Sequence, residues 1–264
     1  MLQKMIYLDL LKISRAKREG DINNMIPKIL HYCWFGRGEM PELVQTCIAS
    51  WHTHMPDWEF KLWSEDNFDI ASAPQYVREA YAAKKYAFVS DYVRLWTLEQ
   101  EGGVYLDTDV EVLHSFEPLL NDTAFIGLEE SLALLPGTCV MGCEAHCQCV
   151  KDMLSTYEDA KFLKKDGSMD LTTNVQRLGA KMVEGGLLHE RKIQYLPQWG
   201  LRVYTHDYFS PITSTRVMRK TKNTYSIHRF AGSWMNGKKN GIHNWWIVRE
   251  IVHLLVQIKR ILRK

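Results

Sequence analysis

Two aspartates one residue apart, Asp107 and Asp109, are the side chains of this 264-residue chain whose type and spacing point most directly to chemistry. In an extended segment, residues i and i+2 lie on one face, so we expect the two carboxylates to converge. Glu111 would join them if the strand continues. Convergent carboxylates suit a divalent cation such as Mn²⁺ or Mg²⁺, which can neutralise a diphosphate leaving group. The alternative is a solvated turn, because Asp-x-Asp is common by chance.

A second charged pair, Asp91 and Arg94, stands with Ser90 in the otherwise apolar run AFVSDYVRLW. Their spacing of three places both side chains on one face of a helix. Charges on an apolar helix are costly to bury unless they are paired or functional. The pair is therefore either an intrahelical salt bridge or a donor and an acceptor that bind the hydroxyls of a polyhydroxylated substrate.

The elements that must position these residues alternate along the chain. Apolar runs predict strands over 27–35, 58–63, 104–106, 124–128, 193–196 and 225–230. Apolar residues at helical spacing predict helices over 41–54, 74–100 in two pieces, 147–163 and 171–183. Alternating strands and helices are typical of an α/β layer architecture. Ligands of such sheets bind at the carboxyl ends of the strands, and the Asp-x-Asp pair directly follows the strand over 104–106.

Charge divides the chain into three parts: a basic segment over 1–25, a domain over 26–241 and a basic helix over 242–264. The formal net charge is only +2, which argues against a dedicated nucleic-acid binder. The last segment has an apolar stripe and a basic face, so it either lies in an anionic membrane interface or packs on the core. The sequence has no apolar run long enough to span a membrane and no clean secretory signal, so we expect a cytoplasmic protein.

Six cysteines are present, and Cys139, Cys143, Cys147 and Cys149 crowd into eleven residues. With His146 they could form a zinc site, since thiolates and imidazole suit zinc. Their spacing matches no structural zinc module, and free cysteines are often simply buried. We expect reduced cysteines, and the sequence assigns the cluster no role.

The run FVSDYVRLWTLEQEGGVYLDTDVEV resembles the signature of the DXD-type sugar transferases of glycosyltransferase family 32, to which the glucosylating domains of large clostridial toxins are related. IPKILHYCWFG resembles the first strand of that family, SWHTHMPDWEFKLWSEDN its second unit and NTYSIHRFAGSW its closing motif. The resemblance covers 26–128 and, locally, 222–236. It implies a GT-A fold, a nucleotide-sugar donor (a UDP-sugar by default), Mn²⁺ or Mg²⁺, and retention of anomeric configuration.

The resemblance also implies roles for individual residues. Those that would contact the donor base, ribose or sugar are Trp34, Ser90, Asp91, Arg94, Tyr105, Asp107 and Asn174. Asp107 would reach the cation through water, and Asp109 and His228 would bind it directly. Ser233 and Trp234 match an element that touches the diphosphate and the cation, and Lys238 and Lys239 could meet phosphates or lie in a solvated loop. Asp91, Arg94, Asp107 and Asp109 would carry catalysis.

The function predicted from these observations is a retaining, metal-dependent transferase of bacterial capsular or surface-polysaccharide assembly. Its acceptor would be a saccharide, carried on a lipid at the inner face of the membrane. In the mechanism that the resemblance implies, the acceptor attacks on the face that the diphosphate leaves. The alternatives are a toxin-like transferase that modifies protein, a metal-dependent phosphohydrolase, and a non-catalytic carbohydrate-binding protein. The sugar, the donor base, the linkage and the oligomeric state stay open.

Overall fold

The computed structural model describes residues 25–130, 134–188, 190–212 and 217–232. The strands are β1 (Ile29–Cys33), β2 (Glu59–Trp63), β3 (Gly103–Leu106), β4 (Val110–Val112), β5 (Ala124–Glu130), β6 (Leu134–Cys143), β7 (Gln194–Leu196), β8 (Leu201–Tyr204) and β9 (Ser226–His228). The α-helices are α1 (Glu42–His54), α2 (Gln75–Ala82), α3 (Tyr86–Glu101), α4 (Gln148–Leu154), α5 (Asn174–Glu184) and α6 (His206–Phe209). Short 3₁₀ turns lie at Glu117–Leu119, Ser155–Tyr157 and Pro197–Trp199.

Seven strands form one mixed sheet in the order β2-β1-β3-β6-β5-β8-β7. Strands β2, β1 and β3 run parallel, and β6 is antiparallel to both β3 and β5. Strands β4 and β9 form a separate antiparallel pair. The carboxyl ends of β1 and β3 therefore meet at one edge, where Trp34 and Asp107 follow them. This architecture confirms the predicted α/β class, with helices packed against a central mixed sheet.

Both faces of the sheet are covered, because successive strand residues point to opposite sides. Tyr105 and Ile126 contribute to one core, with α2 to α5, whereas Leu106 and Phe125 contribute to the other, with α1 and α6. Trp51 of α1 is fully buried, and its Nε1 donates to the carbonyl of Val110 at 2.7 Å. Helix α1 thus holds β4 in place directly after the two aspartates.

The predicted elements are mostly confirmed, with two kinds of difference. The helix predicted over 147–163 is wrong in extent, because α4 ends at Leu154 and a 3₁₀ turn and irregular chain follow. Strands β4, β6 and β8 were not predicted. Strand β6 (LLPGTCVMGC) contains Pro136, Gly137 and Gly142, residues that weaken a strand pattern. Its burial on both faces gives no alternation to detect.

Among the described helices, none combines the length and the apolar character needed to cross a membrane. The predicted amphipathic helix over 242–264 lies outside the described residues. So do Ser233, Trp234, Lys238 and Lys239, as well as the basic N-terminal segment except Met25.

Candidate functional site

Asp107 and Asp109 lie in a tight turn, so the prediction of an extended segment is wrong. Strand β3 ends before Asp107, and the N–H of Val110 donates to the carbonyl of Asp107 at 3.0 Å, as in a β-turn. The carboxylates still converge, because β4 starts at Val110 and pairs there with His228 of β9. One ligand atom from each of Asp107, Asp109 and His228 lies within 4.8 Å of the others.

Asp109 is held by the segment that follows β9. Its Oδ1 lies 3.4 Å from His228 Nε2, and its Oδ2 accepts the N–H of Ala231 at 2.8 Å. The N–H of Arg229 donates to the carbonyl of Asp109 at 2.9 Å. Between these two donors, Phe230 has a φ of 50°, an uncommon conformation for a residue with a side chain. This strained residue lets the chain wrap around the Asp109 carboxylate.

Glu111 does not join the two aspartates. It lies on β4, and its carboxylate accepts hydrogen bonds from the Arg229 guanidinium, with Nε to Oε2 at 2.8 Å. The converging set is therefore Asp107, Asp109 and His228. The expectation that Glu111 would contribute is wrong, because β4 directs its side chain toward the guanidinium of Arg229.

Arg94 connects the two pairs that the sequence singled out. Its buried guanidinium lies 2.9 Å from Asp91 and 3.1 Å from Asp107, between the two carboxylates. It also donates to the carbonyl of Thr138 at 2.7 Å and stacks over the ring of Tyr105 at 4.6 Å. The intrahelical salt bridge is therefore present, but the same arginine orients the first aspartate of the turn.

Burial and charge pairing together set the pKa values of the acidic groups and the imidazole of the site. Burial raises the pKa of Asp91 and of Asp107, against the opposing effect of Arg94. Burial also acts on Asp109 and His228, but their mutual attraction outweighs it. The pKa of Asp109 is consequently lowered and that of His228 is raised well above its usual range. A cation binding here would take the place of the His228 proton, since metal ligands must be deprotonated.

A β-bulge supplies two backbone contacts to the site. The register of β6 against β5 slips by three residues at Gly127. In the segment that this slip frees, the carbonyl of Thr138 accepts from Arg94 and the carbonyl of Cys139 accepts the N–H of Asp107 at 2.9 Å. Bulges are common beside active sites, where they redirect local groups. The sequence did not predict either contact, because every residue has a backbone carbonyl whatever its type.

Three further predicted donor-site residues lie near this centre or at the same edge of the sheet. Tyr105 donates from its hydroxyl to Asp107 Oδ1 at 3.2 Å. The carbonyl of Ser90 is 3.4 Å from Arg94 Nε. Trp34 follows β1, is partly exposed, and donates from Nε1 to the carbonyl of Gly38 at 2.7 Å. Its predicted stacking on a donor base stays a prediction.

Asn174, also predicted at the donor site, is buried at the start of α5. Its N–H donates to the Asp91 carboxylate at 3.1 Å, and its Nδ2 donates to the Asp91 carbonyl at 2.8 Å. Its Oδ1 accepts from the hydroxyl of Tyr157. Asn174 thus fastens α5 to α3 and orients Asp91, and direct contact with a donor stays a prediction.

Glu129 is the acidic residue that sequence reasoning missed. Its Oε1 lies 3.0 Å from His228 Nδ1, on the side of the ring opposite Asp109. Glu129, Cys139 and His228 form a second group whose ligand atoms lie within 4.8 Å of one another. A charged residue directly after the buried apolar stretch of β5 was the available indication.

The cysteine cluster does not assemble as a zinc site in the part of the chain that the structure describes. All six cysteines are free and buried. Cys147 and Cys149 have their sulfur atoms 3.3 Å apart, whereas Cys139 lies with His228. His146 pairs with Glu99 at 3.0 Å. The described three-residue groups suited to a metal are the two that share His228.

One protein-family model and two curated yeast proteins are similar to parts of this chain. Residues 41–126 match the family model described as "Glycosyltransferase sugar-binding region containing DXD motif". Inositol phosphoceramide mannosyltransferase 3 of Schizosaccharomyces pombe is 32% identical over 124 residues, which are 45% of this chain and 35% of that protein. Inositol phosphoceramide mannosyltransferase 1 of the same yeast is 28% identical over 109 residues, 38% of this chain and 33% of that protein. The chain thus spans about a third of the length of these relatives.

Among solved structures, the PaToxG glycosyltransferase aligns with a TM-score of 0.46 at 17% identity, covering 70% of this chain and 79% of that one. The galactosyltransferase LgtC, solved with donor and acceptor sugar analogues, aligns with a TM-score of 0.35 at 13% identity, covering 68% and 74%.

The region matched by the family model contains both charged pairs that the sequence singled out: Asp91 and Arg94, and Asp107 and Asp109. The predicted enzyme class, a glycosyltransferase with a DXD motif, is therefore confirmed at the level of this region. His228 and Glu129 lie beyond it, and the fold brings them to the same centre.

Proposed function

We propose that this chain is a retaining, metal-dependent glycosyltransferase of the GT-A type that moves a sugar from a nucleotide-sugar, most simply a UDP-sugar, to a saccharide acceptor. The observation that carries the proposal is the convergence of Asp107, Asp109 and His228 beside the buried Asp91–Arg94 pair. The DXD family region over 41–126 supports the same reaction class.

The three converging residues fit a divalent cation. Carboxylate oxygens suit Mn²⁺ and Mg²⁺, and an imidazole nitrogen is also compatible with Mn²⁺, which we therefore favour. Asp109 and His228 would bind the ion directly and Asp107 through water. Once bound, the ion would neutralise charge on the departing diphosphate.

The remaining residues would orient the sugar. Asp91 has one carboxylate oxygen on Arg94 and the other on the N–H of Asn174, so its direction is fixed before a ligand arrives. Its side chain is 14% exposed and that of Asp107 is 26% exposed, which leaves oxygen surface for hydroxyl groups. Fixed charges of this kind act without reorganising during the reaction.

For the reaction itself we propose front-face attack. The bond between the sugar C1 and the diphosphate oxygen breaks while the acceptor oxygen bonds to C1 on the same face. The acceptor proton passes to the leaving diphosphate, and the nucleoside diphosphate departs. Incubation with a slow fluorinated donor, followed by intact-protein mass spectrometry, should find no glycosylated enzyme. A trapped covalent adduct would contradict this mechanism.

The acceptor that we propose is a lipid-linked saccharide of bacterial capsular or surface-polysaccharide synthesis, reached from the cytoplasmic face of the membrane. The basic segments over 1–25 and 242–264 support contact with anionic lipid. The yeast relatives are named for mannosylating inositol phosphoceramide, which is in keeping with a lipid acceptor. Deleting 243–264 should move the protein from the membrane to the soluble fraction. Unchanged fractionation would contradict the proposed membrane contact.

The reaction class is tested by hydrolysis of a panel of nucleotide-sugars with Mn²⁺, Mg²⁺ or a chelator. Wild type should release nucleoside diphosphate from one donor in a metal-dependent way. Asp109→Ala should reduce this rate of release at least about 100-fold, the order expected when an electrostatic contact to the leaving group is removed. Asp166→Ala is the control and should match wild type, because Asp166 lies in an exposed turn where its carboxylate accepts hydrogen bonds from Ser168. Absence of both turnover and calorimetric binding for every donor would contradict the proposal.

A further inference from the structure

The imidazole of His228 lies between two carboxylates, one at each ring nitrogen. Nε2 faces Asp109 at 3.4 Å, and Nδ1 lies 3.0 Å from Glu129 Oε1. The side chains of His228 and Glu129 are 13% and 15% exposed, so solvent contributes little to the placement of the ring. Phe230 packs on the ring with its centroid 4.0 Å away. The ring is thus fixed at an edge by Glu129 and on a face by Phe230.

The contact with Glu129 determines which nitrogen is available to a cation. An ionised carboxylate can only accept a hydrogen bond, so Nδ1 carries the hydrogen and donates it to Glu129. Nε2 also faces a carboxylate, that of Asp109, so it carries a hydrogen until a cation displaces it, and it is then the nitrogen that offers a lone pair toward the aspartates. Histidines that bind metals almost always donate their other N–H to a carboxylate, a carbonyl or water.

Glu129 itself is well anchored. It lies on β5 beyond the bulge, where the strand is paired with β6 and Glu129 stands opposite Leu135. A carboxylate carried by a paired strand holds its partner more precisely than one on a loop.

We propose that Glu129 is a positioning residue that aims His228 Nε2 at the cation site of Asp107 and Asp109. The inference rests on the metal-dependent function proposed above and adds a residue outside the matched region 41–126. Glu129 does not touch the substrate or the cation in this arrangement. Its effect on the reaction passes through the imidazole.

The first test is a titration with Mn²⁺ alone, followed by electron paramagnetic resonance, on the full chain. Glu129→Ala should weaken Mn²⁺ binding about 10- to 100-fold, as loss of such an outer contact typically does. Glu129→Gln keeps an acceptor oxygen and should recover most of the affinity. Glu111→Ala removes a carboxylate that binds Arg229 instead of the imidazole, and it should stay close to wild type.

Three outcomes of this titration would overturn the proposal. In the first, Glu129→Ala binds Mn²⁺ like wild type, which would mean that Glu129 has no influence on the ion. An equal loss of affinity in Glu111→Ala would also count against the proposal, because it would mean that only general negative charge matters. In the third, Cys139→Ala loses affinity together with Glu129→Ala. That result would place the ion in the other group, Glu129, Cys139 and His228.

A second measurement separates this proposal from the proposed function. In metal-free protein labelled with ¹⁵N-histidine, the Nδ1–H of His228 should give a resonance protected from exchange with water, and Glu129→Ala should lose it. If wild type shows this resonance but binds no Mn²⁺, the metal-dependent function fails and Glu129 merely orients a structural histidine. If Mn²⁺ binds and the resonance is absent, the function stands and the positioning role is wrong.

Discussion

Arg94 is the residue on which the charge balance of the site depends. It is the buried cation between Asp91 and Asp107, and its side chain is only 6% exposed. A buried ion pair costs desolvation whether or not it is functional, but removing one partner leaves the other charge uncompensated. The arginine therefore serves folding as well as any role in sugar binding.

Replacing Arg94 by Met should lower the free energy of unfolding by about 3–5 kcal/mol, the cost of breaking a buried pair. Arg229→Met is a matched control, because its partner Glu111 and Arg229 are 27% and 33% exposed. That substitution should cost less than about 1 kcal/mol. Urea denaturation of both variants checks the prediction, and equal losses would contradict it.

At the scale of elements, the junction of α3 and β3 depends on Gly102 and Gly103. Gly103 has a φ of +98°, and a Cβ there would lie 2.6 Å from the carbonyl oxygen of Ile29 and 3.2 Å from His31 Nε2. Buried His31 donates from Nε2 to the carbonyl of Gly102 and accepts from Trp63 at Nδ1. Strands β1 and β3 can approach in this way only where β3 begins without a side chain.

Gly103→Ala should destabilise the protein by about 2–4 kcal/mol, because backbone strain and a clash with the β1 backbone add together. Gly167→Ala separates the two effects. Gly167 has a φ of +80°, but a Cβ there would meet no atom within 4 Å, so this substitution should cost only about 1 kcal/mol of strain. Thermal unfolding of the two variants measures the difference. Equal shifts would mean that the close approach to Ile29 is unimportant.

The sequence was sufficient to predict those elements in which the residue types follow the pattern of burial. The paired helices around Ala82 and the strands ending at Cys33 and Leu106 have clear apolar patterns, and their predictions are confirmed. Asp107 and Asp109 were found through their type, although a turn brings them together instead of an extended strand. Thr138 could not be predicted, because its contribution is a carbonyl that the bulge turns toward Arg94. The contact of Glu129 with His228 could not be predicted either, because the two residues are 99 positions apart in the chain.

At the scale of the whole molecule, five of the six cysteines lie in one of the two hydrophobic cores, and Cys47 is buried outside them. All six are free and buried. Burial raises the pKa of the Cys33 and Cys139 thiols to about 12, so these groups stay protonated near neutral pH. A thiol reacts as its thiolate and only when it is accessible.

Hydrogen bonds from Cys143 and Cys149 lower the pKa of the Cys147 thiol, but this residue is only 6% exposed, so burial is what protects it. An aromatic disulfide reagent such as Ellman's reagent should therefore find no rapidly reacting thiol in the native protein and six after unfolding without reductant. Unfolding in guanidinium with and without prior reduction is the control for disulfides. A count below six in the unreduced sample would reveal a disulfide. Fast labelling of the native state would show that a core opens readily.

The slipped register of β6 has a consequence for how the chain can vary. Every amino acid has a carbonyl, so substitutions at Thr138 and Cys139 can keep the contacts to Arg94 and Asp107 while changing the side chains. The number of residues in β6 is more tightly constrained. Residues 140–143 of β6 pair with β3, and β6 pairs with β5 in two blocks, 141–143 and 134–137, which the three-residue offset separates. Losing or gaining one residue between the two blocks would shift one block of pairing relative to the other. This strand should therefore tolerate a change of residue type better than a change of length.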